Sequence, residues 1–122
     1  VKALDVGADA IIVSNHGGRQ LDQTSSTISM LPKIVKAVKG KSAIWLDGGI
    51  RSGQDILKAV ALGADNTLIG RAMSYGLAAN GISGCEKTLN ILHTELDMTM
   101  ALCGHKNLKE VDDSILKIEN DF

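Results

Sequence analysis

Three short apolar runs alternate along the chain with longer segments in which apolar residues recur every three or four positions. The runs cover Ala10–Val13, Ala43–Leu46 and Asn66–Ile69, of which the last begins with two polar residues, and each is bounded by polar residues or glycine. Short apolar runs between turn residues are typical of buried strands in a parallel sheet. The segments that follow the runs have the period of amphipathic helices. The pattern therefore predicts the order β-α-β-α-β-α.

Capping residues and glycines set the limits of the first two predicted helices. Cap candidates at positions 25–27 precede the first helix, and Gly40 ends it. Ser52 precedes the second helix, and Gly63 ends it. Hydroxyl side chains at the start of a helix and glycine after its end are the residues favoured at these positions.

The last helical region is predicted to be interrupted. A third helix starts after Gly70-Arg71, and Gly81 and Gly84 are expected to break it before a longer helix that stops at Gly104. A short amphipathic segment, residues 108–118, follows. Glycine inside a helical pattern lowers helix stability, which is why a break is expected.

The alternation of strands and helices predicts an α/β fold with right-handed crossovers and a parallel sheet. A (β/α)8 TIM barrel needs about 250 residues, or about 30 for each unit. We therefore expect residues 1–122 to be the C-terminal portion of such a barrel, with three βα units plus a C-terminal helix. An open doubly wound sheet is the alternative, but no G-x-G-x-x-G motif follows a strand. Because Val1–Gly7 resembles the end of a helix and no Met precedes it, we interpret the chain as a fragment.

Charge and cysteine content narrow the classes of protein and of partner. The 122 residues carry a formal net charge of −1, so neither a nucleic-acid surface nor a polybasic membrane anchor is indicated. Cys85 and Cys103 lack the spacing of a metal or redox motif and are expected to be reduced, mostly buried thiols. We expect a cytoplasmic protein, with peripheral contact to the cytoplasmic face of the membrane as the alternative.

Two successive strand ends combine glycine with arginine, in Asp47-Gly-Gly-Ile-Arg51 and Gly70-Arg71. Each motif opens a helix, and glycine lets backbone N–H groups approach an anion near the positive end of the helix. The last loops of a TIM barrel often form a phosphate site in this way. Asp47 is expected to accept a hydrogen bond from a ligand hydroxyl or from loop amides, because two anions would repel. The alternative is two ordinary turns with solvated arginines.

The first strand ends at a histidine and an arginine, in Ser14-Asn-His16-Gly-Gly-Arg19. A carboxylate held by the Arg19 fork would place its α-substituents near the imidazole of His16. Neutral His16 could then accept a proton from an α-hydroxyl group. The alternative is a histidine that only satisfies hydrogen bonds in the core.

The segment Ser14-Asn-His-Gly-Gly-Arg-Gln-Leu-Asp22 closely resembles the signature of the FMN-dependent α-hydroxy-acid dehydrogenase and oxidase family. Asp47–Arg51, Ala61-Leu-Gly-Ala64 and Gly70-Arg71 continue the resemblance in order and spacing, to about Val111. The first motif is specific to that family, whereas the later ones recur in other phosphate-binding barrels.

The resemblance implies a chemistry and a role for each motif. In the family, the histidine matching His16 is the active-site base, and the arginine matching Arg19 binds the substrate carboxylate. The residues expected to contact FMN are Ser14, Asp47, Gly48, Gly49, Arg51, Gly70 and Arg71, and no metal is expected.

The resemblance also implies a substrate and partners. The substrate loses its α-hydrogen to the flavin and becomes a 2-keto acid. L-lactate is the substrate that we expect, and glycolate and longer-chain hydroxy acids are the alternatives. The implied electron acceptor is O2, or alternatively a quinone or cytochrome. For the full-length protein, the resemblance implies a homo-oligomer, which we expect to be a tetramer.

Two other classes of function remain open from the residues alone. A non-redox barrel that binds a phosphate ligand, such as an isomerase or a relative of IMP dehydrogenase, would keep the phosphate loops. Such a barrel would not need both a base, His16, and a carboxylate-binding group, Arg19. A non-catalytic half-barrel could instead pack onto a partner through its exposed sheet edge.

The isolated 122-residue chain is expected to bind FMN weakly at best and to be inactive. Three parallel strands cannot close a barrel, so both sheet edges and the apolar surface beside them would face water. The test is to purify the chain, add FMN and lactate or glycolate without oxygen, and follow flavin absorbance. Bleaching at an enzyme-like rate would contradict the expectation.

Overall fold

The computed structural model describes residues 1–117 and contains one three-stranded parallel sheet with helices against it. A 3-10 turn, His16–Gly18, follows the first strand, and two further 3-10 turns, Leu108–Glu110 and Asp113–Ile115, follow the last helix. In chain order the strands and helices are α1 (Lys2–Asp5), β1 (Ala10–Val13), α2 (Thr27–Val38), β2 (Ala43–Asp47), α3 (Gly53–Ala61), β3 (Asn66–Leu68) and α4 (Arg71–Leu102).

The sheet has the order β1-β2-β3, and both pairings are parallel, as the alternating pattern predicts. Ile12 pairs with Trp45, and Leu46 pairs with Thr67. Ile44 and Leu46 of the central strand are buried, with 4% and 0% of their surface exposed. The predicted strands agree with the observed ones to within one residue, because each apolar run ends where the backbone turns.

Helix α2 places its apolar stripe on the sheet and has well-defined ends. The hydroxyl of Ser26 accepts a hydrogen bond from the Ser29 amide, which makes Ser26 the cap among the predicted candidates. Lys39, with φ 52°, takes the left-handed conformation that ends the helix. Leu31 and Val38 are fully buried against the strands. Burial of this stripe fixes α2 beside β1 and β2.

Helix α3 begins with a capping box. The Ser52 hydroxyl accepts from the Asp55 amide at 3.2 Å, and the Asp55 carboxylate accepts from the Ser52 amide at 3.0 Å. This reciprocal pair satisfies two backbone donors that the helix itself cannot use. Leu57 is buried on the inner face. The loop between β2 and α3 therefore ends at a rigid helical turn.

Helix α4 consists of two arms separated by a sharp break. Asn80 and Gly81 leave the helical region, with φ −155° and 55°, between a first arm (residues 71–79) and a second arm (residues 82–102). The prediction of a break is correct for Gly81 and wrong for Gly84, which remains helical. A Cβ on Gly84 would collide with the backbone of Gly76, so this glycine allows the two arms to cross at close range.

The remaining described residues add short turns and no further strand. Residues 108–117 of the predicted amphipathic segment form the two 3-10 turns, and Ile118 lies outside the described residues. Cys85 is half-buried and Cys103 is exposed, and neither is bonded, so the expectation of burial is wrong for Cys103. Within residues 1–117, no helix combines the length and apolarity needed to cross a membrane.

Candidate active site

A cleft of about 300 Å³ lies at the carboxyl ends of the three strands. Parallel strands direct the loops after them to the same edge of a sheet, so three distant segments meet here. The lining includes every predicted site residue except Ser14. These residues are His16, Arg19, Asp47, Gly48, Gly49, Arg51, Gly70 and Arg71.

The histidine belongs to a tightly bonded turn. The Ser14 hydroxyl accepts a hydrogen bond from the His16 amide at 3.1 Å, and the Asn15 side chain accepts from the Gly18 amide at 3.1 Å. His16 itself has φ 53°, a left-handed conformation that is uncommon outside glycine. Such conformations cluster at functional sites, where the surrounding bonds hold them. The turn leaves the imidazole exposed at the mouth of the cleft.

Ser14 does not line the cleft but bonds directly to Asp47, which does. Its hydroxyl donates to Oδ2 of Asp47 at 2.6 Å, the length of a strong bond to an ionised carboxylate. The bond joins the end of β1 to the end of β2. Ser14 therefore orients Asp47, a partner that the sequence did not indicate.

The loop after β2 is open towards the cleft. Gly48 and Gly49 have φ values of 101° and 86°, which residues other than glycine rarely adopt. No other atom lies within 4 Å of the place where a Cβ on Gly49 would stand. The buried hydroxyl of Thr27 donates to the Gly48 carbonyl at 3.3 Å and supports the loop from below. A ligand can therefore reach the backbone at Gly49.

The helix ends that face the cleft differ in their hydrogen bonding. At α3, one Asp55 oxygen accepts from the amides of Arg51 and Ser52 at 3.0 Å, and the Gly53 amide donates to Glu95 at 2.9 Å. At α4, Gly70 forms no side-chain cap. An uncapped helix start keeps its positive potential for an anion. The sequence had assigned this role to both helices, whereas only α4 leaves the position open.

All three arginines of the chain line this cleft, at positions 19, 51 and 71, and Asp47 is its one acidic lining residue. The Arg71 guanidinium crosses to the histidine turn and lies 3.4 Å from the Cβ position of Gly17. Guanidinium groups bind carboxylate and phosphate in a bidentate manner. The cleft is therefore suited to anionic ligands.

The sequence matches the family described as FMN-dependent dehydrogenase over residues 1–118. The chain belongs to this family. FMN is the family's cofactor, as the resemblance of the sequence motifs predicts.

Individual relatives agree with the family assignment. The chain is 51% identical over 120 residues to a 2-hydroxyacid oxidase of Dictyostelium discoideum, covering 98% of the chain and 31% of the relative. It is 49% identical over 117 residues to an L-lactate oxidase of a Nostoc strain, covering 96% of the chain and 32% of the relative. The chain thus spans about a third of the length of these relatives.

A solved structure shows the same architecture. A mandelate oxidase variant with a monooxide FMN adduct superposes with a TM-score of 0.86 at 48% identity, over 88% of this chain and 34% of that one. The described α/β unit is therefore part of a TIM barrel, which confirms the predicted fold class.

The residues of the cleft fit the phosphate end of FMN. The exposed backbone at Gly49, the uncapped start of α4 and the guanidinium of Arg71 offer N–H donors and positive charge in one place. The Asp47 carboxylate, held by Ser14, stands beside them as an acceptor for hydroxyl groups.

Sequence reasoning missed two side chains that shape the site. Thr27 was considered only as a helix cap, yet its hydroxyl bonds to the Gly48 carbonyl, 21 residues away. Glu95 gave no signal, because its partner Gly53 lies 42 residues earlier. No spacing rule connects positions so far apart.

A valine at position 49 should deplete the purified full-length protein of FMN. In Gly49→Val, a branched side chain would occupy the space through which the ligand reaches the backbone. Gly40→Val is the matched control, since Gly40 also has a positive φ, 72°, and open space around it, but lies at the far end of α2. The measurement is the ratio of flavin to protein absorbance. Normal flavin content in Gly49→Val would place the phosphate elsewhere.

Proposed function

We propose that the chain is the C-terminal catalytic portion of an FMN-dependent enzyme that oxidises L-2-hydroxy acids to 2-keto acids, with L-lactate as substrate. The observation that carries the proposal is the cleft in which His16 and Arg19 stand beside the glycine-arginine loops. A phosphate site alone would suit many barrels. A base and a carboxylate-binding group beside it suit a hydroxy acid.

His16 is proposed as the base. His16 is exposed and lines the cleft, and the bonds of Ser14 and Asn15 hold the backbone of its turn. A neutral imidazole can accept the proton of the substrate α-hydroxyl as the α-hydrogen leaves. A bound FMN would supply the two-electron acceptor for the α-hydrogen.

Arg19 is proposed to bind the substrate carboxylate. It follows the histidine turn directly and lines the same cleft. Its planar fork can hold both carboxylate oxygens and so fix which face of the α-carbon is presented. Orientation of this kind removes much of the entropic barrier to reaction.

The remaining predicted residues are proposed to bind the cofactor. Gly48, Gly49 and the Gly70-Arg71 pair would hold the phosphate with Arg51, and Asp47 would accept a hydrogen bond from the ribityl chain. The bond from Ser14 occupies one carboxylate oxygen of Asp47 and leaves the other available. Ser14 would thus act on the cofactor through Asp47.

The electron acceptor, assembly and location are proposed from the relatives and the sequence. Two relatives carry the name oxidase, which favours O2 over a quinone or cytochrome. Membership of the FMN-dependent family favours redox chemistry over a non-redox phosphate-ligand barrel. A homotetramer and a cytoplasmic location stay predictions.

Replacing the base should stop chemistry and spare cofactor binding. In the full-length protein, His16→Gln should retain FMN and slow flavin reduction by lactate about 10²–10⁴-fold, because general-base catalysis is lost. Anaerobic stopped-flow measures the rate. His93→Gln, an exposed histidine on the second arm of α4, is the control. A rate within about tenfold of the unmodified protein would assign the base elsewhere.

Two replacements of Arg19 should separate its charge from its geometry. Arg19→Lys keeps the charge but loses the fork, so it should chiefly raise KM. Arg19→Met should lower kcat/KM by a factor equivalent to about 3–5 kcal/mol of transition-state binding, the loss expected for a desolvated ion pair. Steady-state kinetics with L-lactate measure both, with exposed Lys33→Met as the control. Equal and mild effects of both changes would mean that Arg19 only faces solvent.

A further inference from the structure

Glu95 connects the second arm of α4 to the start of α3. Its Oε2 accepts a hydrogen bond from the Gly53 amide at 2.9 Å, and the carboxylate is half-buried. Gly53 is the first residue of α3 and follows the cofactor loop, residues 47–51, by two positions. A bond to a charged acceptor in a partly buried place is stronger than one between neutral groups.

The helices meet at this point without space between them. A Cβ on Gly53 would collide with the backbone of Glu95 and Leu96. Because the backbones touch, a shift of the second arm would move the first turn of α3 and the cofactor loop before it. Within residues 1–117, Glu95 makes a polar bond across this contact, to the Gly53 amide.

The bond between Glu95 and Gly53 connects the two segments that are proposed to hold the phosphate, the 47–51 loop and Gly70-Arg71. Arg71 starts the first arm of α4 inside the cleft, and the break at Asn80–Gly81 turns the chain back. The second arm then places Glu95 beside Gly53, at the end of the 47–51 loop. The two loops are thus held together by the β2–β3 pairing on one side and by Glu95 on the other.

The negative charge of Glu95 also disfavours the binding of an anion at the start of α3. Asp55 and Glu95 place two carboxylates at the start of α3 and use the amides of residues 51–53. A phosphate at that helix end would be repelled by both. The start of α4, which has no side-chain cap, remains for the phosphate.

We propose that Glu95 is a positioning residue for the phosphate group of the cofactor. By bonding to Gly53 it fixes the end of the 47–51 loop relative to the start of α4, and it occupies the helix end where the phosphate must not bind. The proposal rests on FMN binding as described under the proposed function.

The test compares FMN with riboflavin, which lacks the phosphate, on the apoprotein at full length. Glu95→Ala should weaken FMN binding about tenfold or more, as expected for losing a bond to a charged acceptor. Riboflavin binding should change by less than about threefold, because Asp47, which is proposed to bind the ribityl chain, is held at the other end of the loop by Ser14. Glu95→Gln keeps an acceptor but loses the charge, so its FMN affinity should fall by about threefold to tenfold, less than that of Glu95→Ala. Quenching of flavin fluorescence measures both affinities.

Two further variants make the outcome decisive. Asp97→Ala removes an exposed carboxylate from the same arm and should change neither affinity. If Glu95→Ala does not fold, Glu95→Asp carries the test, because it keeps the charge, cannot reach Gly53 and should show the same selective loss. Equal loss of FMN and riboflavin, or unchanged FMN affinity, would overturn the proposal and leave Glu95 a support of the fold. An unmodified protein that binds no FMN would instead overturn the proposed function.

Discussion

Parallel pairing through β2 is the constraint on which the rest of the structure depends. It places the ends of all three strands on one edge, and residues at positions 16, 47 and 70 reach the same cleft only for this reason. The central strand also buries Ile44 and Leu46 against the helices. A slip of one residue between the strands would turn these side chains away from the core and separate the loops. Core packing and site geometry therefore share one register.

Hydrogen bonds between loops then refine what the sheet brings together. Ser14 joins the first loop to the second, and Thr27 supports the second from α2. Glu95 joins the end of the second loop to α4. The Thr27 and Glu95 bonds satisfy backbone groups in part-buried positions, so stability and site geometry depend there on the same contacts.

Local features of the fold and site were predictable from the sequence because they have local causes. Apolar runs and capping residues set the strands and helices, and glycine with arginine marked the residues that meet in the cleft. Gly84 was misjudged because a glycine that lets two helices cross has the same sequence signal as one that breaks a helix. The bond of Ser14 to Asp47 and the positions of Thr27 and Glu95 depend on tertiary contacts, which no periodicity encodes. The roles of His16 and Arg19 stay predictions.

The left-handed backbone of His16 has a consequence for how this position can vary. Outside glycine, histidine, asparagine and aspartate are the residues enriched in that conformation, and β-branched residues are poorly accommodated. Of those three, only histidine offers a neutral base with a pKa near physiological pH. Under the proposed function, conformation and proton chemistry would restrict the position independently, and their overlap would leave a single residue type. His16→Asn would therefore remove the imidazole and keep a residue type that favours this backbone, whereas His16→Gln keeps a longer amide side chain in a less favoured conformation.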